Sequence, residues 1–131
     1  MQKFQNLAVW RAARQLAGHV YRDTVDFPVT ERFGLSAQMR RAAISICSNI
    51  AEGCGRGSDA DFRKFLLIAM ASACELECET ILAHDLALLS DQSRRQLLDE
   101  VEDVKRMLAG LIKRLCTGTE NRALKPTTTV S

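Results

Sequence analysis

The chain has 131 residues, of which 47% are hydrophobic and 26% charged, and its formal net charge is +2. This length predicts one domain with its own hydrophobic core and is too short for two. No apolar run approaches the roughly 18 to 20 residues of a membrane span, and the small net charge does not by itself indicate nucleic-acid binding.

The N-terminus lacks the continuous apolar core of a secretory signal, so a cytoplasmic location is expected. The first 22 residues carry arginines and almost no acids, as transit peptides do, but Leu7, Trp10, Leu16 and Val20 have the spacing of a core-facing helix. The five cysteines form an odd set without a CxxC pair, which argues against a disulfide framework and fits a reducing compartment.

Apolar residues recur every three or four positions near the N-terminus and predict a first helix over about residues 6–25. Phe27-Pro28 ends it, because Pro disfavours a helical conformation in the residue before it. Ser36 is predicted to cap a second helix that runs to about Glu52, and Gly53 to supply the left-handed position at its end.

The glycines that alternate from Gly53 to Gly57 have two interpretations, a phosphate-binding loop or a tight connector between helices. No strand precedes them and they fit neither GxxxxGK[ST] nor GxGxxG, so a connector is favoured. Ser58 then begins a capping box, S-D-A-D, with Asp61 in place of Glu, followed by a long third helix from about Asp59 to Leu89.

The third helix carries two apolar stripes, which is more than a single bundle can cover. The second stripe is therefore predicted to be an interface between subunits, formed by Leu67, Met70, Cys74, Cys78, Ile81 and Leu82. Cys74 and Cys78 lie one turn apart and, with Cys47 and Cys54, could surround a metal. Because no His stands at a matching spacing, buried apolar thiols are the favoured interpretation.

A fourth helix is predicted over about residues 92–116, and the short Ser90-Asp91 turn before it makes helices three and four antiparallel neighbours. Gly118 is predicted to end this helix. The expected fold is all-α, an antiparallel up-and-down four-helix bundle over residues 1–117 with a long third helix, followed by a disordered tail over residues 118–131.

Polar residues share one face on each of two helices. Helix two carries Arg41, Ser45, Asn49 and Glu52, and helix three carries Ser72, Glu75 and Glu79. These lines favour a hydrogen-bonded seam within the bundle, with recognition of a partner or a carboxylate metal site as alternatives. Neither histidine has a Glu three residues before it, and no nucleophile stands beside a base, so neither an enzyme nor a cofactor is expected.

Charge is uneven along the chain. Residues 1–70 contain ten Lys or Arg and six Asp or Glu, hence +4, whereas residues 71–131 contain eight and ten, hence −2. A basic surface of this kind collects phosphate contacts, although a solvated charged surface explains it equally well. The candidate residues for RNA or DNA are Arg11, Arg14, Arg40, Arg41, Arg56, Arg63 and Lys64.

Several motifs together resemble one known family. They are Phe27-Pro28, ERFGL at residues 31–35, RRAA at 40–43 and SNIAEG at 48–53, and the match continues through Phe62, Phe65-Leu66, Ser72 and residues 75–77. The chain resembles the four-helix-bundle family of 23S ribosomal RNA intervening-sequence proteins, which is related to the accessory protein of diversity-generating retroelements.

The resemblance implies a homo-oligomeric ring, typically a pentamer, without catalytic activity. It also implies contact with nucleic acid or with a protein partner such as a reverse transcriptase. A scaffold that binds only protein stays open as the alternative. Relatives are expected to have a helix-weakening glycine where this chain has Ala87-Leu88, so the end of the third helix should be more regular here.

Overall fold

The computed structural model describes residues 3–124, with side chains through residue 115, and contains four helices. These are α1 (Ala8–Thr24), α2 (Leu35–Cys54), α3 (Asp59–Asp85) and α4 (Asp91–Leu124), with short 3₁₀ turns at Phe4–Asn6 and Val29–Glu31. Each helix packs against the helices adjacent to it in a square, whereas the backbones of the diagonal pairs, α1 with α3 and α2 with α4, do not approach each other closely within residues 3–124. The predicted all-α four-helix bundle is confirmed.

The core is built from residues spaced three or four apart on each helix. Leu16 and Val20 of α1, Ile46 of α2, Leu76 of α3 and Leu108 of α4 are fully buried. Small buried residues occur on both α2 and α3, namely Ala42, Ala43, Ala69 and Ala73. The contact between these two helices is the most extensive in the bundle.

The start of α2 differs from the prediction. Ser36 lies inside the first turn, and its Oγ donates a hydrogen bond to the carbonyl oxygen of Glu31 at 2.8 Å. The backbone N–H of Leu35 donates instead to Oε1 of Glu31 at 3.0 Å. The preceding 3₁₀ turn brings the Glu31 carboxylate back to this helix end, so Glu31 does the capping assigned to Ser36. At α3, by contrast, Ser58 Oγ accepts from the Asp61 N–H at 3.1 Å, as predicted.

Gly53 does not occupy a left-handed position. α2 continues to Cys54, and Gly55, with φ −89°, takes the position after the helix, where its N–H donates to the carbonyls of Ala51 and Glu52. Among the described glycines, Gly57 is the one with positive φ, at 92°. Gly53 is buried against α3, and a Cβ at this position would lie 2.8 Å from Cβ of Phe65. The close approach of α3 therefore accounts for this glycine.

The end of α3 also differs from the prediction. The helix stops at Asp85 rather than near Leu89, and Ala87 has φ 61°. The backbone N–H of Leu88 then donates to the carbonyl of Ala83, which closes the helix end. The Ala87-Leu88 pair therefore does not make the helix more regular. Ala87 occupies the left-handed position that glycine usually takes after a helix.

α4 continues to Leu124, past Gly118, where the sequence predicted its end. A single glycine inside a helix costs about 1 kcal/mol and does not have to stop it. The remainder of the predicted tail, residues 125–131, lies outside the described residues, and the boundary at residue 117 stays a prediction. Within the described part of the chain, no helix is long and apolar enough to cross a membrane.

Candidate functional site

A groove of about 430 Å³ lies between α2 and α3. It is open to solvent, because Arg41 and Ser48 on one side and Glu75 on the other are exposed. Its walls combine polar, charged and apolar side chains, which are Gln38, Arg41, Ala42, Ile44, Ser45, Ser48, Glu75 and Glu79. The groove thus contains four members of the predicted polar lines.

A chain of hydrogen bonds joins the two helices along this groove. Ser45 Oγ and Ser72 Oγ lie 2.7 Å apart, across the contact between α2 and α3. Nδ2 of Asn49 donates to the carbonyl oxygen of Ser45 at 2.9 Å and to its Oγ at 3.0 Å. Since Ser72 is buried, this bond satisfies a hydroxyl that would otherwise be costly to bury.

Glu52 does not reach this hydrogen-bonded chain, although the sequence groups it with Ser45 and Asn49. It is exposed near the end of α2 and pairs with Arg56, with 3.6 Å between Oε2 and Nη1. Arg56 also lies 4.0 Å from the carboxylate of Asp61 and over the ring of Phe65. These contacts connect the end of α2 to the first turns of α3.

Glu79 is the most perturbed group in the groove. Its Oε1 is buried and accepts no hydrogen bond from the described residues. Burial, reinforced by the nearby charge of Glu75 and opposed by that of Arg41, raises the pKa of Glu79 to about 7. Arg41 itself forms no ion pair within residues 3–115, so positive and negative groups line one groove without pairing.

The seven candidate basic residues fall into two regions. In this antiparallel bundle, α1 begins, α2 ends and α3 begins at the same end. That end carries Arg11, Arg14, Arg56, Arg63 and Lys64, which we call the basic end. Arg41 lies about 20 Å along α2 from the last residue of that helix, Cys54, at 1.5 Å per residue, so Arg40 and Arg41 belong to the opposite half of the bundle.

Arg40 is engaged within the fold. Its Nε donates to Oγ1 of the buried Thr24 at 2.8 Å, and its Nη2 donates to the carbonyl oxygen of Tyr21 at 3.3 Å. The guanidinium also lies 4.4 Å from the centroid of the Tyr21 ring. These contacts join α2 to the end of α1, so Arg40 is the least available of the seven for a ligand.

The outward side of α3 is apolar over much of its length. Leu67 and Leu82 are each 47% exposed, and Cys74, Cys78 and Ile81 are also exposed. Met70 differs, because it is partly buried against the core. Ile68 and Leu86, which the sequence stripe omitted, lie on this side as well. We call this side the α3 apolar face, and it consists of Leu67, Ile68, Cys74, Cys78, Ile81, Leu82 and Leu86.

The predicted apolar stripe omits Ile68 and Leu86 because it includes only a narrow sector of the helix surface. At 100° per residue they lie beside Leu82, on the flank nearer α2. Ile44 on α2, 48% exposed, faces the same side. For Ile44, Ile68 and Leu86 the sequence did contain a signal of exposure, because each is an apolar residue outside the stripe that faces the core.

The described cysteines differ in how far they are exposed. Among the residues that the structure describes, no cluster of His, Cys, Asp and Glu suits a metal ion. Cys74 and Cys78 are exposed free thiols rather than the buried apolar thiols expected. Cys47 is partly buried beside the core, and burial raises the pKa of its thiol.

Comparison with known proteins gives a family match and similarity to solved structures. The model of a family described as 23S rRNA-intervening sequence protein matches residues 5–110. Among solved structures, the chain is similar to a protein of unknown function from the S23 ribosomal protein family of Bacteroides thetaiotaomicron, with 25% sequence identity and a TM-score of 0.73. The similarity covers 81% of this chain and 99% of that one. No curated protein matches.

Proposed function

The chain belongs to the family of 23S rRNA-intervening sequence proteins, as its motifs predicted, and from that membership we propose that it is a non-enzymatic, self-associating bundle that contacts RNA or DNA. In this proposal it acts in the cytoplasm as a homo-oligomeric ring. The resemblance to the family implies five copies in that ring. The basic end provides the contact with phosphates, and the α3 apolar face provides the contact between copies.

The exposed α3 apolar face is the observation that supports self-association. Four aliphatic side chains on α3 and one on the residue that follows it are each more than a third exposed, namely Leu67, Ile68, Ile81, Leu82 and Leu86. Contiguous apolar surface of this kind on a soluble protein usually marks an interaction site. Covering it with the same face of further copies removes it from water.

The basic end supports a contact with nucleic acid. Arg11, Arg14, Arg63 and Lys64 form no ion pair with any acidic group in the described residues. A ring repeats these charges once per subunit, so weak phosphate contacts add up by multivalency. The Trp10 ring already lies under Arg14 and against Phe4, and the Phe65 ring lies under Arg56, so base stacking is not indicated and weak sequence preference is expected.

A salt titration tests this contact. Binding of a labelled RNA hairpin or DNA duplex should weaken steeply between about 50 and 200 mM salt, because each neutralised phosphate releases counterions. A combined variant, Arg11→Glu, Arg63→Glu and Lys64→Glu, should lose binding by at least tenfold per site. Fluorescence anisotropy reports the affinity, and sedimentation velocity checks that the oligomer persists.

The matched control is Arg32→Glu, which reverses an exposed charge at the opposite end. It should bind like the parent chain. Equal losses in the control and the combined variant, or no affinity at low salt, would exclude the basic end as a nucleic-acid contact.

A protein scaffold without nucleic-acid binding is the second candidate, and a specific surface favours it. Val25, Val29 and Phe33 are exposed by 67%, 83% and 88% at the connection between α1 and α2. Exposed aliphatic and aromatic groups of this kind suit a polypeptide partner better than phosphates. The same titration separates the two functions, since a scaffold shows no salt-dependent affinity for RNA or DNA.

A further inference from the structure

The groove between α2 and α3 contains a charge that the bundle leaves without a partner. Oε1 of Glu79 is buried and unbonded, and the charged groups that face this carboxylate are Glu75 on its own helix and Arg41 on α2. α4, the other helix packed on α3, meets a different side. There Lys105 pairs with Glu77 at 2.8 Å, about 200° around the helix from Glu79.

The surroundings of Glu79 indicate a large occupant rather than a small molecule. Small ligands are usually enclosed over most of their surface, whereas this groove is open. Its rim is continuous with exposed apolar side chains, Ile44 on α2 and Ile68 and Leu82 on α3. A partner that covers these side chains also covers the carboxylate, and a covered carboxylate needs a cation.

A second copy of the chain has the required chemistry. When Glu79 is ionised, two glutamates and one arginine give the groove a net negative charge. Residues 1–70 carry +4 and include lysine and arginine side chains with no acidic partner in the described residues. The groove also adjoins the α3 apolar face, so a copy seated on that face reaches it.

We propose that the groove is completed by a lysine or arginine side chain from a second copy, which pairs with Glu79 when the bundles associate. This inference rests on the self-association proposed above and adds a charged contact to an otherwise apolar interface. Arg41 then holds the opposite wall, where Ser48 and Gln38 offer further hydrogen bonds to the incoming segment.

Pairing of Glu79 with a cation makes the association of two copies depend on pH in a defined direction. In the separate bundle the pKa of Glu79 is about 7, so at pH 6 the carboxyl is mostly protonated. A cation from the second copy favours the charged form and lowers that pKa, so association releases a proton. Association therefore strengthens as pH rises through 7. A return of the pKa to its ordinary value of 4.5 corresponds to about tenfold between pH 6 and pH 8 for each covered Glu79.

Sedimentation equilibrium of the full chain at pH 6, 7 and 8, at constant ionic strength, measures this effect. The parent chain should associate about tenfold more tightly at pH 8 than at pH 6. Glu79→Gln should remove that change while circular dichroism shows an unaltered helix content. His19 and His84, which pair with Glu100 and Asp91, are retained in this variant, so the difference between the two profiles isolates Glu79.

Two further variants sharpen the result. Glu75→Gln removes the neighbouring negative charge and should shift the transition to lower pH. Glu102→Gln, an exposed glutamate on α4, should leave the profile of the parent chain unchanged.

The outcomes separate this inference from the function it rests on. Identical profiles for the parent chain and Glu79→Gln overturn the charged contact but leave self-association standing. Association that weakens with rising pH in a Glu79-dependent manner shows a carboxyl covered without a cation, and it overturns the pairing. A monomer at every pH overturns self-association and this inference together.

Discussion

Gly53 shows at the scale of one residue how packing selects a side chain. The residue is buried in α2, and an added Cβ would meet Cβ of Phe65 at 2.8 Å and Cδ1 of Phe62 at 3.0 Å. A Cβ is fixed by the backbone, so relief requires the two helices to separate. This contact explains the glycine within the SNIAEG motif without any role in a ligand site.

Replacing Gly53 with alanine should destabilise the bundle by about 1 to 3 kcal/mol. The added Cβ overpacks the contact with α3, and this cost exceeds the roughly 1 kcal/mol by which alanine favours a helix over glycine. Gly18→Ala is the matched control, since a Cβ at this position in α1 has no neighbour within 4 Å. It should stabilise by up to about 1 kcal/mol. Urea unfolding followed by circular dichroism gives both values, and a stabilised Gly53→Ala would contradict the close contact.

At the scale of helices, the connection between α3 and α4 depends on a strained residue. Ala87 has φ 61°, a conformation that costs a residue with a Cβ about 1 to 2 kcal/mol. Its backbone N–H donates to the carbonyl of His84, and the next two residues lead directly into Ser90, whose Oγ accepts from the Ser93 N–H. The reversal is thus held by hydrogen bonds at both helix ends.

Ala87→Gly should therefore stabilise the chain by about 0.5 to 1 kcal/mol, because glycine adopts positive φ without the steric cost. The control, Ala109→Gly, places glycine at an exposed position inside α4 and should destabilise by about 1 kcal/mol. Thermal or urea unfolding distinguishes them. If Ala87→Gly is as destabilising as the control, position 87 is helical in solution.

Sequence periodicity predicted the existence, order and approximate bounds of all four helices, because each presents a regular apolar stripe to the core. It failed where a tertiary contact decides the local conformation. Glu31 caps α2 from a separate 3₁₀ turn, and Gly53 is required because Phe65 of another helix leaves no room for a Cβ. Likewise, Ser45 and Ser72 could be assigned to helix faces, but the unpaired state of Glu79 depends on side-chain positions that periodicity does not specify.

At the scale of the whole molecule, the basic end and the α3 apolar face meet near the start of α3, where Lys64 lies within about one turn of Leu67 and Ile68. The Glu79 groove lies toward the other end of α3. Arg11 and Arg14 lie on α1, so a copy covering the α3 apolar face can leave that part of the basic end accessible. The assembly and the nucleic-acid contact proposed above are compatible on one bundle.

Leu82→Glu tests the assembly at this scale. It places a charge beside Ile81 and Leu86 in the α3 apolar face and should weaken association at least 100-fold, since the charge would be covered without a partner. Val25→Glu, at an exposed apolar position outside the face, should retain the size of the parent chain. Sedimentation velocity and native mass spectrometry compare them, and a parent-sized oligomer in Leu82→Glu would exclude this interface.

The close contact between α2 and α3 has a consequence for how the chain folds. The connection between these helices contains only residues 55–58, so bringing them together closes a short loop and loses little chain entropy. This pair also shares the most extensive contact, joined by the Ser45 and Ser72 hydroxyls. We therefore expect the α2–α3 hairpin to form early in folding, with α1 and α4 then docking onto it. Its amides should be the last to exchange with solvent, and those at the outer ends of α1 and α4 the first.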